Sequence, residues 1–329
     1  MDKIASLGQT EREELFQETA NNLGMVAAAV EKDFWVCWIL NKIFSHQTLS
    51  QQLLFKGGTS LSKCFELIER FSEDIDLILD WNLLTDEDPY VERSNRQQDL
   101  FNKRVNAVGL SYVKETLYNN LTQVFDGVGQ LDSGDENKKE LIFHYPKSFE
   151  SEYIKSEVLI EVSPVSAMAP NRDVVIQTYA AKQFPKLFEK TDIDVKTIEA
   201  RKTFWDKVTI LHGESHRPDD KPQPDRYSRH YYDVYQMLDT WVKQEAMDDI
   251  ELLKSVAAFK KKFYPQGWAN YQAIIDDNIQ LVPAEPIREN LNTDYEGMQE
   301  MIYGNYPAFS DILNVLEQFQ VEVNEAMRN

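Results

Sequence analysis

The sequence is short of three things, and each shortage excludes something. Cysteine is the first: Cys37 and Cys64 are the only two in 329 residues. Two thiols make no disulfide framework, and these two lack metal-ligand spacing. They fit a reducing, intracellular compartment, so a cytoplasmic location is expected. Long apolar runs are the second shortage. The longest fall far below the roughly 18–20 residues that span a bilayer. The N-terminal Met-Asp-Lys-Ile-Ala-Ser carries neither the apolar stretch nor the cleavage pattern of a signal peptide, so no membrane is expected as a partner. Positive charge is the third. Thirty-five Lys and Arg face 55 Asp and Glu, for a net charge of −20. Such a chain does not coat nucleic acid through general electrostatics. Any nucleic-acid substrate must be held by a local basic groove or a specific pocket. There is also no internal repeat and no low-complexity tract.

What is present begins with apolar material. Hydrophobic residues make up 42% and aromatics 12% of the chain, ample for one large domain or two. Residues 9–46 read as two helices, with Trp35 and Trp38 facing a core. Strand signals follow at Leu53–Phe55, Asp74–Leu79, Glu140–Tyr145 and Glu157–Val162, with a helix expected over Leu61–Glu69. Residues 81–96 look like an exposed insertion. Helical periodicity resumes over 97–125, and a polar loop spans Gly127–Lys139. The stretch 174–200 mixes strand and helix signals. From Arg201 the pattern is helical, with Phe204 and Trp205 as further core residues. The composition shift near residue 200 predicts two domains, 1–200 and 201–329.

The most informative segment is Lys56-Gly-Gly-Thr-Ser60 followed, after 13 residues, by Asp74-Ile-Asp76. A glycine turn opening a helix presents backbone N–H groups to phosphate. It lacks the spacing of a Walker A loop. On a strand, Asp74 and Asp76 point to the same face. Two adjacent carboxylates repel each other unless a cation lies between them. Mg²⁺ (or Mn²⁺) is the expected cation, because it takes oxygen ligands and bridges carboxylates to substrate phosphates. His212 and His216 have helical metal-ligand spacing, but nothing completes a zinc site, and a capping or hydrogen-bonding role is expected. Lys260–Lys262 reads as a solvated helix face.

Glycine turn, helix, then a strand with two aspartates is the arrangement of polymerase-β-like nucleotidyltransferases. Lys56-Gly-Gly-Thr-Ser-Leu-Ser-Lys63 with Arg70-Phe-Ser-Glu-Asp-Ile-Asp-Leu77 resembles the AbiEii/AbiGii family of nucleotidyltransferase toxins. Arg201–His212 and Arg229-His-Tyr-Tyr-Asp-Val234 resemble its later motifs, so the resemblance spans roughly residues 30–240. It implies an α+β fold: a polymerase-β-like core, a small mixed sheet flanked by helices, with a C-terminal helical domain. It implies Asp74, Asp76 and Glu161 as metal ligands and catalytic acids. Glu161 is the candidate third carboxylate, weighed against a place on the solvent face of an edge strand. Gly57, Gly58, Thr59, Ser60 and Lys63 would bind the NTP phosphates, joined by Lys207 and Arg229. Arg229 has a salt bridge to Asp233 as its alternative. Lys207 and Asp233 complete the expected catalytic set. Many relatives carry an aspartate where this chain has His230.

The expected activity is metal-dependent transfer of NMP from an NTP to an acceptor hydroxyl. The resemblance implies RNA, such as tRNA, as acceptor, a toxin–antitoxin or phage-defence setting, and a cognate antitoxin. The alternatives are a catalytically weak nucleotide- or antitoxin-binding module, favoured only by His230, and an NTP-dependent protein-modifying transferase or kinase.

Overall fold

A computed structural model describes residues 1–151, 154–285 and 287–328. The chain divides into two compact units. The first takes Met1–Cys64 and Ser72–Ile198, and the second takes Phe65–Phe71 and everything from Glu199 onward.

The first unit is built on one mixed, seven-stranded sheet in the order β3-β4-β5-β2-β1-β7-β6. Its strands are β1 (Leu53–Lys56), β2 (Ile75–Leu79), β3 (Gln130–Asp132), β4 (Glu140–His144), β5 (Glu157–Ser163), β6 (Asn171–Ile176) and β7 (Ile193–Ile198). β2 lies centrally, antiparallel to β1 and parallel to β5. Side chains alternate between the faces of a strand, and the sequence uses that alternation. Val158, Ile160 and Val162 of β5 share one face with Ile75 and Leu77 of β2, and all are buried. Phe143 of β4 lies on that face, paired with Val158. Against it packs the helix Ala27–Ser45, whose Trp38 stacks on Phe143 at 5.6 Å and whose Trp35 stacks on Tyr145 at 5.6 Å. These rings explain the aromatic density of residues 34–38: the helix is buried almost all round, as a helix apolar on every side must be. The opposite face of the sheet carries polar side chains at the Asp76 end and the apolar cluster Leu54, Ile78 and Ile198 beyond it.

The ambiguous stretch 174–200 resolves into the end of β6, the short helix Tyr179–Gln183, a 3-10 turn and β7. One helix expectation is corrected. The helix after the glycine turn is Gly57–Lys63, not Leu61–Glu69. It stops because Cys64 and Phe65 turn the chain and Glu66 takes a left-handed backbone (φ 54°). Residues 67–71 then leave helix and strand, with Arg70 bridged to Ile302. Phe71 donates its N–H to the Met301 carbonyl, and Tyr303 donates to the Glu69 carbonyl, so this strap belongs to the second unit.

The second unit is otherwise helical. Its main helices are Ala200–Ser215, Arg229–Leu238, Ile250–Phe263, Ile287–Glu296 and Phe309–Arg328. Phe204 and Trp205 are fully buried against Phe319. His212 is also buried, and both its ring nitrogens are taken by backbone: Nδ1 accepts from the Gln280 N–H and Nε2 lies 3.0 Å from the Asn270 carbonyl. Burial, with a smaller push from His216, holds it neutral, its pKa pushed down to about 4 against the opposing pull of the backbone bonds to Asn270 and Gln280. A ring so engaged pins the Asn270–Gln280 segment and has no nitrogen left for a metal. No helix among the described residues is long and apolar enough to cross a membrane.

Candidate functional site

The register of the sheet assembles the polar face of the first unit. Asp76 on β2 pairs with Glu161 on β5, and Glu161 pairs with Glu140 on β4. On the other side Asp76 pairs with Lys56 of β1. Residues paired across strands point to the same face. A row Lys56–Asp76–Glu161–Glu140 therefore crosses four strands, and Asp74 directly precedes β2. Three carboxylates side by side on adjacent strands are mutually repulsive.

Asp76 is half-buried, and among the described residues it has no hydrogen-bond or ion-pair partner. Glu161 is solvent-exposed in its strand. It is thus on an open face beside Asp76, and β5 is an interior strand rather than the edge strand weighed for Glu161. Every member of the set offers hard oxygen donors, the kind Mg²⁺ and Mn²⁺ take. Among the described residues, no three His, Cys, Asp or Glu side chains converge into a ligand cage by themselves. What the carboxylates share is a face and a register. That face suits a divalent cation on chemical grounds, because a half-buried carboxylate beside a like charge lacks the counter-ion that would relieve it.

The glycine turn is fitted to this row. Gly57 has φ 85°, and a Cβ there would lie 2.0 Å from Asp76 Oδ2. Only glycine serves, both for the backbone conformation and for the space the carboxylate occupies. The two following hydroxyls turn inward. Thr59 is buried; it donates to the Asp74 carbonyl at 2.6 Å and lies 2.9 Å from the Ser72 hydroxyl. Ser60 is buried and donates to the Gly57 carbonyl. Thr59 thus ties the glycine helix to the backbone of the aspartate strand, and Ser60 braces the turn. Gly57 and Gly58 are half-buried. Lys63, expected on phosphate, is engaged elsewhere. Its ammonium lies 2.5 Å from Asp33 Oδ1, donates to the Gln177 carbonyl at 3.0 Å, and sits 4.2 Å from the Tyr179 ring centre. Burial opposes its charge, but Asp33 outweighs burial and raises its pKa.

In the second unit Lys207 and Asp233 lie together on two neighbouring helices. Asp233 is fully buried. Arg70 grips it with two bonds, Nε to Oδ1 at 2.6 Å and Nη2 to Oδ2 at 2.8 Å, and Lys207 Nζ lies 2.7 Å from Oδ2. Burial alone would push this carboxyl up, but Arg70 and Lys207 reverse that and hold it well below the usual carboxylate range. Lys207 is pulled below its ordinary pKa, first by burial and then by Arg70 and Arg229, against the opposing pull of Asp233. His230 stands 3.5 Å from the Lys207 amine, edge-on to Tyr227. Burial, then Lys207 and Arg229, push its pKa far down, so it is a neutral ring that accepts from the Lys207 amine. Arg229 does not pair with Asp233; it is half-buried and makes no side-chain hydrogen bond or ion pair among the described residues.

Sequence reasoning missed three participants. Arg70 was visible only as part of a motif, because its partner lies 163 residues away. Lys56 was likewise visible only as part of a motif, and Glu140 only once the strand register was known.

Comparison with known proteins adds the family. A sequence model described as the nucleotidyl transferase AbiEii toxin of type IV toxin–antitoxin systems matches residues 38–315. The chain belongs to the AbiEii family. It is accordingly a nucleotidyltransferase, a toxin of a type IV toxin–antitoxin system, which implies an NTP substrate and a cognate antitoxin. Nucleotidyltransferases as a class use divalent metals. No curated protein matches the chain. Among solved structures, it is similar to MenT4, a nucleotidyltransferase toxin from Mycobacterium tuberculosis H37Rv. The two share 13% identity over 98% of this chain and 99% of that one, with a TM-score of 0.45. At that score the likeness carries no argument about this chain.

Proposed function

We propose that this AbiEii toxin is a metal-dependent enzyme that moves NMP from an NTP to the hydroxyl of an RNA acceptor in the cytoplasm. The observation that carries this reading is the unpartnered Asp76 carboxylate in register beside Glu161. Asp74, Asp76 and Glu161 are the residues that would hold Mg²⁺ or Mn²⁺. When bound, such an ion supplies charge neutralisation at the triphosphate. The protein's own residues do the rest. Gly57 admits the Asp76 carboxylate against the turn, and Thr59 fixes the Asp74 backbone. The Gly57 and Gly58 backbone is the proposed seat of NTP phosphates, with Ser60 shaping the turn from within.

Lys63, committed to Asp33, anchors the glycine helix in this reading rather than touching phosphate. In the second unit Lys207 and Arg229 are the proposed phosphate-binding groups. Asp233 serves as a positioning residue: doubly paired and ionised, it orients the Lys207 amine and is not a base. RNA as acceptor rests on the family resemblance, since the net charge of −20 offers no general electrostatic attraction.

The test incubates the protein with each NTP labelled in parallel at the α or the γ position, Mg²⁺ or Mn²⁺, and total RNA, with an Asp76→Ala control. Label transferred to RNA by wild type alone is expected. Label transferred only from the γ position would point to a kinase and defeat the reading, as would equal labelling by the variant.

A further inference from the structure

Lys56 lies at the edge of the carboxylate row and has no role in the reaction as described so far. Its position is unusual for a strand lysine. It ends β1, pairs in register with Asp76, and donates from Nζ to Ser163 Oγ at 2.8 Å. Ser163 belongs to β5, which lies on the far side of β2. A side chain of β1 reaches a side chain of β5 only by crossing β2. Ser163 pairs with Ile78, one step along the same face from the Asp76–Glu161 pair. The lysine therefore runs diagonally over β2, from the level of Asp76 to the level of Ile78. Its ammonium comes to rest where the acidic face meets the apolar cluster of Leu54, Ile78 and Ile198.

That arrangement has a chemical consequence. An ammonium has three donors. Ser163 takes one, and among the described residues Lys56 has no other hydrogen-bond or ion-pair partner. Lys56 is half-buried, so the remaining donors are neither lost in the core nor spread over open surface. Glu140 has Lys138 as its own ion-pair partner; Lys56 is the cation in register with Asp76, where it reduces the repulsion between Asp76 and Glu161 and meets an anion that a divalent cation brings to the same face. The residue next in the chain is Gly57, the start of the phosphate turn.

We infer that Lys56 is a triphosphate-binding residue of the NTP site, aimed across β2 by Ser163. The inference rests on the nucleotidyl-transfer reading above, and its test separates the two. Binding of each NTP in the presence of Mg²⁺ is measured directly, apart from turnover, for wild type, Lys56→Met, Lys56→Arg, Ser163→Ala and Asp76→Ala. Inorganic tripolyphosphate is the competitor. Lys56→Met is expected to weaken NTP binding at least tenfold and to blunt competition by tripolyphosphate, with a melting temperature close to wild type. Lys56→Arg should recover part of the loss. Ser163→Ala, which leaves the charge but frees its aim, should weaken binding about threefold.

A purely structural lysine would shift the melting temperature and leave tripolyphosphate competition unchanged, which would overturn the inference. If Lys56→Met does not fold, the Ser163→Ala result decides: wild-type affinity there overturns it. Wild-type protein that binds NTP through Lys56 but transfers no label would leave the inference standing and sink the transfer reading. Unaltered binding in Lys56→Met, with transfer abolished by Asp76→Ala, would do the reverse.

Discussion

Two aspartates of this protein sit in opposite electrostatic circumstances. Asp233 is fully buried and held by three short contacts from two cations. Asp76 is half-buried, flanked by another carboxylate, and has no partner among the described residues. A buried charge with its partners supplied is architecture: removing one member leaves the others stranded. A charge kept near its like with no ion pair of its own carries a cost that Lys56 in the neighbouring strand lessens and a bound cation relieves further, and such sites are where function concentrates. The contrast predicts that the two aspartates separate stability from activity. Asp76→Ala should lower nucleotidyl transfer about 10³–10⁴-fold, roughly 4–5.5 kcal/mol of transition-state stabilisation. Its melting temperature should hold or rise, because a repulsion between adjacent strands is removed. Calorimetry beside a transfer assay checks this. A large fall in melting temperature would mean that Asp76 is structural after all.

Asp233→Asn is the complementary break. It leaves Arg70 and Lys207 buried around a neutral amide, and about 3–5 kcal/mol of stability should be lost. Urea unfolding measures this as a lower midpoint. The sign with pH follows from the depressed pKa of Asp233, below its ordinary 3.8. The stability that ionisation of Asp233 contributes is present in full above the unfolded-state pKa and is lost as pH falls through the lower folded value. The gap between wild type and variant should therefore stay constant from about pH 5 upward and narrow only below about pH 4. A gap that opened near neutrality would point to a different group.

Gly57→Ala sharpens the comparison from the side of the turn. The added Cβ meets Asp76 Oδ2 at 2.0 Å, on a residue whose φ is already 85°. Either the turn or the carboxylate must move. Strain of about 1–3 kcal/mol is expected, with transfer down about a hundredfold because the displaced group is the unpaired aspartate. Wild-type activity in this variant would show that Asp76 has room the geometry denies it.

How much of this the sequence revealed follows the distance over which each feature is written. The glycine turn, the Asp-x-Asp pair and the alternation of Val158–Val162 are local, and they read directly as turn, paired carboxylates and a strand with Glu161 on one face. The Trp35–Trp38 helix reads as core for the same reason. Strand register is not local. That Glu161 stands beside Asp76, and that Lys56 crosses to Ser163, depends on β1, β2 and β5 being neighbours, which no spacing along the chain specifies. Lys63 and Asp233 show the other limit. Their types suit phosphate and catalysis, but their partners Asp33 and Arg70 lie 30 and 163 residues away, and partners decide what a buried charge does. The helix expected over Leu61–Glu69 failed because Phe65–Phe71 is held by contacts with residues 301–304, which override local propensity.

The smallest expected effect tests whether the rule of the unpartnered charge extends to cations. Arg229 resembles Asp76 in this respect: it is half-buried, it lies one residue from the buried cluster, and yet it takes no part in the Asp233 pairing. Its i+4 neighbour is the aspartate it would ordinarily hold on a helix, but Arg70 and Lys207 already occupy both oxygens. A guanidinium left over in this way is available for a phosphate, as a two-pronged donor. Arg229→Gln should therefore raise the NTP KM about tenfold, near 1.4 kcal/mol, with kcat and melting temperature little changed. Steady-state kinetics separates the two parameters. A loss of stability with unchanged KM would place Arg229 with the structural charges, and the division between paired and unpaired groups would then hold for the carboxylates alone.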